Sequence, residues 1–263
     1  MGVSIKQRRP WEIQRAVIQA LFLREVKTRF GAHRLGYLWA VLEPAAIIIV
    51  FWVMFGLHMR KHLPGIDYPM YLMTGMVSWH LFNNLVMRSM AAFEANQGLF
   101  VYRQVKPIDT LIARGIVECV VYFVVFLFFV IIGGAMGYDI SVYSIPLLVV
   151  AYVGVALFGF LLGLAGAMGS YFSENVPKVV GLVLRPLFFS SGIFFTLSSV
   201  PEKFRWLLLL NPMLQWNELV RAAYFETYSA GAVSSLYLCG WVLIPAFGSL
   251  WFYARLQQRI IAS

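Results

Sequence analysis

Two arginines inside apolar stretches are the side chains that most directly suggest chemistry in this sequence. Arg185 is followed by Pro186 within one such stretch, and Arg88 lies near the end of another. An arginine at the centre of a membrane-spanning helix costs roughly 2.5–3.5 kcal/mol, so it is expected to face protein or water. We expect Arg185 to attract an anionic cargo in a conduit. The alternatives are an ion pair with Glu43 or Glu118, or a side chain that reaches the membrane surface, which is the default for Arg88.

Patterns that usually indicate catalysis or metal binding are absent from this sequence or weak. There is no Gly-rich loop ending in Lys-Ser or Lys-Thr, so ATP binding of that type is excluded. His58 and His62 have no third ligand nearby, and no Ser/His/Asp set or carboxylate pair occurs. Arg114 and Glu118 are four residues apart and could pair on one helix. We expect no catalytic residue, no metal site and no cofactor in this chain.

The composition predicts a protein that crosses a membrane several times. Hydrophobic residues make up 60% of the 263 residues and charged residues 13%, which excludes an ordinary soluble domain. A helix needs about 20 apolar residues to span the hydrocarbon. Four glycines within one apolar stretch have the spacing that lets helices approach closely in lipid; they are Gly159, Gly163, Gly166 and Gly169.

The apolar stretches predict an all-α membrane protein with six transmembrane helices. The predicted spans are residues 35–57, 68–92, 111–132, 145–168, 176–197 and 234–256. Most Lys and Arg residues fall on one side if both termini are cytoplasmic, which fits an even number of crossings. The chain is therefore interpreted as one permease-like domain, 1–263. It comprises a cytoplasmic interface helix (1–34), spans 1 to 5 (35–197), an external hairpin (198–231), and span 6 with a cytoplasmic tail (232–263).

The segment from Trp11 to Arg29 predicts a helix that lies along the membrane surface. Its charged residues interrupt any apolar core, so it is not a signal peptide. The alternative is a simple anchor that sets the topology. Its predicted apolar stripe consists of Ile13, Ala16, Val17, Ala20 and Leu21.

A broken apolar segment near Pro212 predicts a re-entrant hairpin of two short helices. Pro201 suits the start of the first helix, and Asn211 followed by Pro212 suits the cap and first residue of the second. Glu202 to Leu210 rises only about 14 Å at the usual helical pitch. Such half-depth helices persist where they pack in protein or line a wet cavity. The alternative is an amphipathic surface loop.

The long internal loop 94–109 is the predicted contact with a partner protein. It is too apolar for a flexible linker and too short for a domain. A short helix here would place Leu99, Phe100 and Tyr102 in a groove of a cytoplasmic partner, and Arg103 and Lys106 would add charge complementarity. The alternative is a turn packed on its own spans.

Several motifs give the chain a family resemblance. Residues 22–30 and 34–44 resemble the opening of the permease subunits of polysaccharide-export ABC transporters, the type-2 ABC permeases. Residues 94–109 resemble the KpsM-type permeases that export group 2 capsular polysaccharide. Asn211-Pro212 and the stretch 218–221 match the external hairpin of that family. The resemblance runs over nearly the whole chain.

The resemblance implies an assembly and a set of functional residues. Two permeases would pair with two copies of a separate ATPase, which binds ATP and Mg. A lipid-linked polysaccharide would pass between the permeases in the bacterial inner membrane, towards a periplasmic co-polymerase-type adaptor and an outer-membrane channel. No nucleic acid is implied. Coupling to the ATPase falls on Glu94, Asn96, Gln97, Leu99, Phe100, Tyr102, Arg103 and Lys106, and on Arg24, Arg29 and Phe30 of the interface helix. The hairpin residues are Arg205, Trp206, Asn211, Pro212 and Glu218, and the channel or substrate contacts are Arg88 and Arg185.

Other functions fit the same residues. A relative of the same class would export O-antigen or teichoic acid. An ATP-independent carrier or an anion channel belongs to a different class, which association with an ATPase would exclude. An intramembrane transferase needs a cluster of catalytic Asp, Glu or His residues, and the sequence contains none.

Overall fold

The computed structural model describes residues 9–31, 36–59 and 65–262. Within these ranges the chain forms nine α-helices and two short 3-10 helices, without a β-strand, so the all-α prediction is confirmed. The α-helices are α1 (Pro10–Phe30), α2 (Gly36–Met59), α3 (Tyr68–Met90), α4 (Pro107–Ala135), α5 (Ile145–Phe172), α6 (Val176–Ser190), α7 (Glu202–Leu209), α8 (Pro212–Tyr224) and α9 (Ser235–Ala262). The 3-10 helices are Glu94–Leu99 and Leu197–Ser199.

Helix α3 is the centre of the fold, and most of its side chains are buried. It packs against α5, α4, α2 and α8. The closest approach is to α5, where a Cβ atom on Gly163 would lie 2.6 Å from the carbonyl oxygen of Leu85. A Cβ atom on Gly159 would lie 3.1 Å from the carbonyl oxygen of Phe82. The glycines of α5 therefore serve helix packing, as their spacing predicts.

Three helices are long and apolar enough to cross a membrane. They cover Pro107–Ala135, Ile145–Phe172 and Ser235–Ile260. They correspond to predicted spans 3, 4 and 6. Among the described side chains of α2, an apolar stretch covers Leu42–Met54, and α3 includes polar residues such as Asn83 and Asn84. Three of the six predicted spans are thus confirmed as helices of spanning length and composition.

The predicted fifth span, residues 176–197, is not one continuous helix. Helix α6 ends at Ser190 after 15 residues, which is about 22 Å of helix. Gly192 follows with a φ of 69°, a left-handed conformation that ends the helix and turns the chain. The apolar side chains of Ile193 and Phe194 continue beyond this turn and are buried.

The hairpin between α6 and α9 consists of two short helices, α7 and α8. They meet at Asn211, whose side-chain oxygen accepts a hydrogen bond of 2.9 Å from the backbone N–H of Met213. This is the predicted cap, with Pro212 as the first helical residue. The two helices differ in burial, because α7 has no buried residue and α8 is almost entirely buried.

Helix α1 lies where the interface helix is predicted. Ala16 and Ala20 are exposed, and Leu21 is buried. The face of α1 that packs on the bundle also includes charged residues, and these form ion pairs with α4. The contact of this stripe with the membrane surface stays a prediction, and α1 is held to the bundle by polar contacts as well as by apolar ones.

Candidate functional site

A buried carboxylate ties α1 to the helix bundle. Glu118 of α4 is 1% exposed, and its Oε1 atom lies 2.5 Å from Nη1 of Arg29 and 3.2 Å from Nε of Arg88. Asn84 donates to the other carboxylate oxygen at 3.5 Å and to the hydroxyl of Tyr122 at 2.8 Å. A buried charge needs partners of this kind, because a lone carboxylate without water is strongly destabilising. Helices α1, α3 and α4 therefore meet at one carboxylate.

A second ion pair joins the same helices. Nε of Arg114 donates to Glu25 of α1 at 2.9 Å, and its Nη1 donates to the carbonyl of Arg88 at 2.8 Å. The predicted pairing of Arg114 with Glu118 is wrong, since Glu118 faces Arg29 and Arg88 instead. Nε of Arg88 lies against that carboxylate and its side chain is 41% exposed, so its reach to the membrane surface stays a prediction.

Helix α1 also contacts the internal loop and the start of α4. Arg24 donates to the side-chain oxygen of Asn96, which lies in the 3-10 helix Glu94–Leu99. Asn96 is 3% exposed and donates to the carbonyl of Ala92 at 2.7 Å. Gln14 donates to Asp109 in the first turn of α4. Helix α1 therefore bridges the loop and the first turn of α4.

The outward side of the loop carries apolar and basic side chains. Val101 is 86% exposed and Tyr102 is 64% exposed, and Arg103 and Lys106 are exposed as well. Phe100 faces the opposite way and is 4% exposed, in a cluster with Leu111, Leu164, Tyr253 and other apolar side chains. The prediction that Phe100 docks in a partner is wrong for this conformation, because its ring is buried in its own chain. Val101, which the sequence alone did not single out, takes its place at the surface.

Arg185 lies at a cavity of about 390 Å³ between α3 and α6. The cavity is lined by Arg185, Trp79, His80, Asn83, Phe188, Phe189 and two neighbouring aliphatic positions. Within the residues that the structure describes, Arg185 has no ion pair, so the expected alternatives of Glu43 and Glu118 are not its partners. The side chain is exposed and its charge is available to a ligand.

The hairpin is attached to the end of α6 by Asn211. Its side-chain nitrogen donates to the carbonyl of Leu187 at 3.2 Å and to the hydroxyl of Ser190 at 3.0 Å. On α7, Arg205 donates to the carbonyl of Val200 at 2.8 Å, and Trp206 is 64% exposed. Asn211 therefore both caps α8 and joins the hairpin to α6.

Helix α8 carries a buried charged pair towards α3. Arg221 has no exposed side-chain surface, and its Nη1 lies 3.7 Å from Glu218. Its Nη2 donates to the carbonyl of Ile193 at 3.2 Å, and the hydroxyl of Tyr228 donates to Glu218 at 2.6 Å. From the sequence alone, Arg221 falls among external loop residues, and nothing in its neighbours signals burial.

The contacts of α1, the internal loop and the hairpin all lie within a segment that matches a known protein family. A family model described as ABC-2 type transporter matches residues 16–225. The chain belongs to the ABC-2 type transporter family. The match extends from α1 to the end of α8, so it includes Glu118 and its partners, the internal loop and the hairpin.

Individual relatives are similar over most of their length. The polysialic acid transport protein KpsM of Escherichia coli is 37% identical over 254 residues, which cover 96% of this chain and 98% of KpsM. The capsule polysaccharide export inner-membrane protein CtrC of Neisseria meningitidis serogroup A is 28% identical over 81% of this chain and 80% of CtrC. The O-antigen export system permease protein RfbA of Klebsiella pneumoniae is 27% identical over 84% of this chain and 85% of RfbA.

The predicted site residues of this ABC-2 family chain fall into three places. Arg24, Arg29 and Asn96 meet between α1, the loop and α4, and Phe30 is buried beside them. Glu94, Gln97, Arg103 and Lys106 are exposed on the loop, whereas Leu99 is half-buried. Arg185 and the hairpin residues lie elsewhere.

The functional roles of all these residues stay predictions. Gln14, Glu25 and Asp109 were missed, because only the packing of α1 on α4 brings them together.

Proposed function

We propose that this chain is the membrane subunit of an ATP-driven exporter that moves lipid-linked capsular polysaccharide across the bacterial inner membrane. The observation that carries the proposal is the 37% identity to KpsM over 96% of this chain. KpsM is a polysialic acid transport protein, and CtrC is a capsule polysaccharide export protein of the inner membrane. A cargo of this class is a long, hydrophilic and often acidic polymer.

The ATPase of this proposal is a separate chain that docks on the loop 94–106. The sequence has no P-loop of its own. The exposed side chains of Val101 and Tyr102 offer an apolar anchor, and Arg103 adds positive charge beside it. Such a surface suits a groove with an acidic rim. ATP and Mg would be bound by that partner.

Movement of the loop would reach the membrane through α1. Asn96 is bonded to Arg24, and five residues further along the same helix Arg29 is paired with Glu118. Glu118 lies within α4, one of the three helices of spanning length. A displacement of the loop would therefore be transmitted to α3 and α4 through a continuous series of hydrogen bonds and ion pairs.

The proposed topology has six crossings with both termini in the cytoplasm. Helices α4, α5 and α9 support three of these crossings, and α2, α3 and α6 would supply the others. The hairpin of α7 and α8 would then lie at the external side as a re-entrant element. Two permeases and two ATPases would form the complex, and a periplasmic adaptor and an outer-membrane channel would receive the polymer.

Arg185 is the proposed contact for the cargo. Its exposed side chain lines one cavity together with Phe188, Phe189 and Asn83. Aromatic faces with hydrogen-bonding groups suit sugar rings, and a cation suits acidic sugars. Helix α6 is largely exposed in the single chain, which is compatible with a passage that is completed by a second copy. Arg88 is a weaker candidate for a cargo contact, because its side chain is paired with Glu118.

The test is complementation with a matched ATPase control. The chain is expressed with its ATPase in an E. coli strain lacking KpsM and its ATPase, and surface polysialic acid or the native capsule is measured. We expect export with the intact ATPase, none with an ATPase variant that binds but does not hydrolyse ATP, and co-purification of both chains in equal amounts. Transport by the purified chain alone, without nucleotide, would overturn the proposal in favour of a carrier or channel.

O-antigen is the second candidate cargo, because RfbA is 27% identical over 84% of this chain. Expression in a Klebsiella strain lacking RfbA separates the two. Restored O-antigen at the surface, together with no capsule export in the first strain, would favour the second cargo.

A further inference from the structure

An apolar groove runs along the outside of the bundle between α4 and α5. It consists of two adjoining cavities of about 370 Å³ and about 510 Å³. Both are lined by Cys119, Phe123, Val153 and Ala156, so they form one elongated groove. Its floor is α3, through Leu81 in the first cavity and Leu85 in the second.

Small side chains keep this groove open. Gly115, Cys119 and Ala156 line it where larger residues would fill the space. A Cβ atom on Gly115 would already lie 3.3 Å from the ring of Phe160 and 3.6 Å from Leu85. The groove is therefore a concave feature of the backbone packing.

The composition of the helices on both sides of the groove suits a hydrocarbon medium. Helices α4 and α5 are both long and apolar enough to cross a membrane. The ionisable residues Asp109, Arg114 and Glu118 of α4 are turned into the bundle, where Arg114 and Glu118 are paired with other helices. The side chains that flank the groove on the surface, such as Ile116 and Val153, are apolar and exposed. An acyl chain matches a narrow apolar groove with these flanks.

One end of the groove has the charge that a lipid headgroup requires. Lys106 immediately precedes α4 and is exposed, as is Arg103. Ile112, at the near end of the groove, is six residues after Lys106, which corresponds to about 9 Å along a helix. The N-terminus of α4 adds the positive end of a helix dipole. A phosphate at Lys106 would thus direct an acyl chain towards Ile112 and Cys119.

We propose that the groove between α4 and α5 is a binding site for one membrane phospholipid, with an acyl chain along Cys119, Phe123 and Val153 and its phosphate at Lys106. This site lies on α4 and α5, away from the cavity at Arg185, and it is separate from the proposed passage of the cargo. The phospholipid stays with the protein during transport and fills the gap that α4 and α5 leave open.

The test uses the complete chain in nanodiscs that contain phosphatidylglycerol with a photoactivatable diazirine in its acyl chain. After illumination, peptide mass spectrometry locates the cross-links. We expect labels concentrated at Cys119, Phe123 and Ala156. Val153→Trp should lower their yield about tenfold, the change expected when roughly two methylene groups lose their burial. Val150→Trp is the matched control, since Val150 is exposed on the same helix and does not line the groove.

Three results would overturn the proposal. Labels spread evenly over the exposed residues of α4 and α5, including Val150 and Ile131, would indicate only exchanging annular lipid. An equal loss with both Trp variants would show that the groove is not involved. Cross-links between Cys119 residues of two chains would show that a second copy covers the groove. For the headgroup, Lys106→Glu should reduce labelling by phosphatidylglycerol more than labelling by phosphatidylcholine. An equal reduction for the two lipids would reject that contact.

Discussion

The guanidinium of Arg221 lies over the ring of Tyr71, with 3.6 Å between the guanidinium carbon and the ring centroid. Both side chains are completely buried. The contact joins α8 of the hairpin to α3, the central helix. Space for it exists because residue 75 is glycine, where a Cβ atom would lie 2.8 Å from Nη2 of Arg221. The inner helix of the hairpin is thereby attached to the core of the bundle.

Gly75→Ala should therefore destabilise the protein, because the new methyl group must displace Arg221. Overpacking of a buried site typically costs about 1–3 kcal/mol. The midpoint of thermal unfolding in detergent is the measurement. Gly248→Ala is the control, since a Cβ atom on that helical glycine would have no neighbouring atom within 4 Å and alanine favours helix by roughly 0.5–1 kcal/mol. A Gly75→Ala protein as stable as the control would contradict the close contact.

Glu118 should be required for the attachment of α1. In Glu118→Gln, the side chains of Arg29 and Arg88 lose their shared anion within the bundle, and breaking a buried pair costs about 3–5 kcal/mol. The lower end is expected here, because Arg88 is partly exposed. We expect a lower unfolding midpoint and faster proteolysis of α1, both partly restored by the double variant with Arg29→Gln. Glu174→Gln changes an exposed carboxylate and should have no effect. Full stability of Glu118→Gln would exclude this role.

The sequence predicts individual elements better than it predicts their partners. The cap at Asn211 and the packing glycines follow from local geometry, which a few neighbouring residues determine. The end of α6 was missed because the apolar residues continue past Gly192, and composition does not reveal a positive φ. The pairing of Arg114 with Glu25 was missed because it depends on how α1 crosses α4. The burial of Arg221 depends in the same way on the missing side chain at Gly75 in a distant helix.

The loop should show a division between docking and packing residues. Val101→Ala combined with Tyr102→Ala removes exposed apolar surface, so we expect weaker co-purification of the ATPase with an unchanged unfolding midpoint. Phe100→Ala empties a buried position and should instead lower stability by about 3–5 kcal/mol. ATPase co-purification and the unfolding midpoint are measured for the Val101/Tyr102 double variant and for Phe100→Ala. If the exposed pair changed stability and Phe100→Ala changed only ATPase binding, the orientation of the loop would be wrong.

Arg185 should affect export without affecting assembly. Arg185→Ala removes an exposed charge that has no ion pair among the described residues, so the unfolding midpoint and ATPase association should stay constant. Export of an acidic polymer should fall about tenfold, equivalent to the loss of about 1.4 kcal/mol of attraction. Arg185→Lys should retain part of the activity, and Lys178→Ala, near the start of the same helix, is the control. Normal export by Arg185→Ala would remove this residue from the proposed passage.

The joint between α6 and the hairpin should control the exit of the polymer. The side chains of Asn211 and Ser190 are in contact at 3.0 Å, and the same asparagine caps α8. Asn211→Ala removes the cap and both bonds to α6, so we expect a loss of about 1–2 kcal/mol of stability. A cysteine at each position, in a background without Cys119 and Cys239, allows a short thiol cross-linker to hold the two elements together. Cross-linking should then block export and leave ATPase binding intact, with reversal on reduction. Undiminished export in the cross-linked state would show that the hairpin does not need to move relative to α6, and its function would be limited to stabilising the outer end of the bundle.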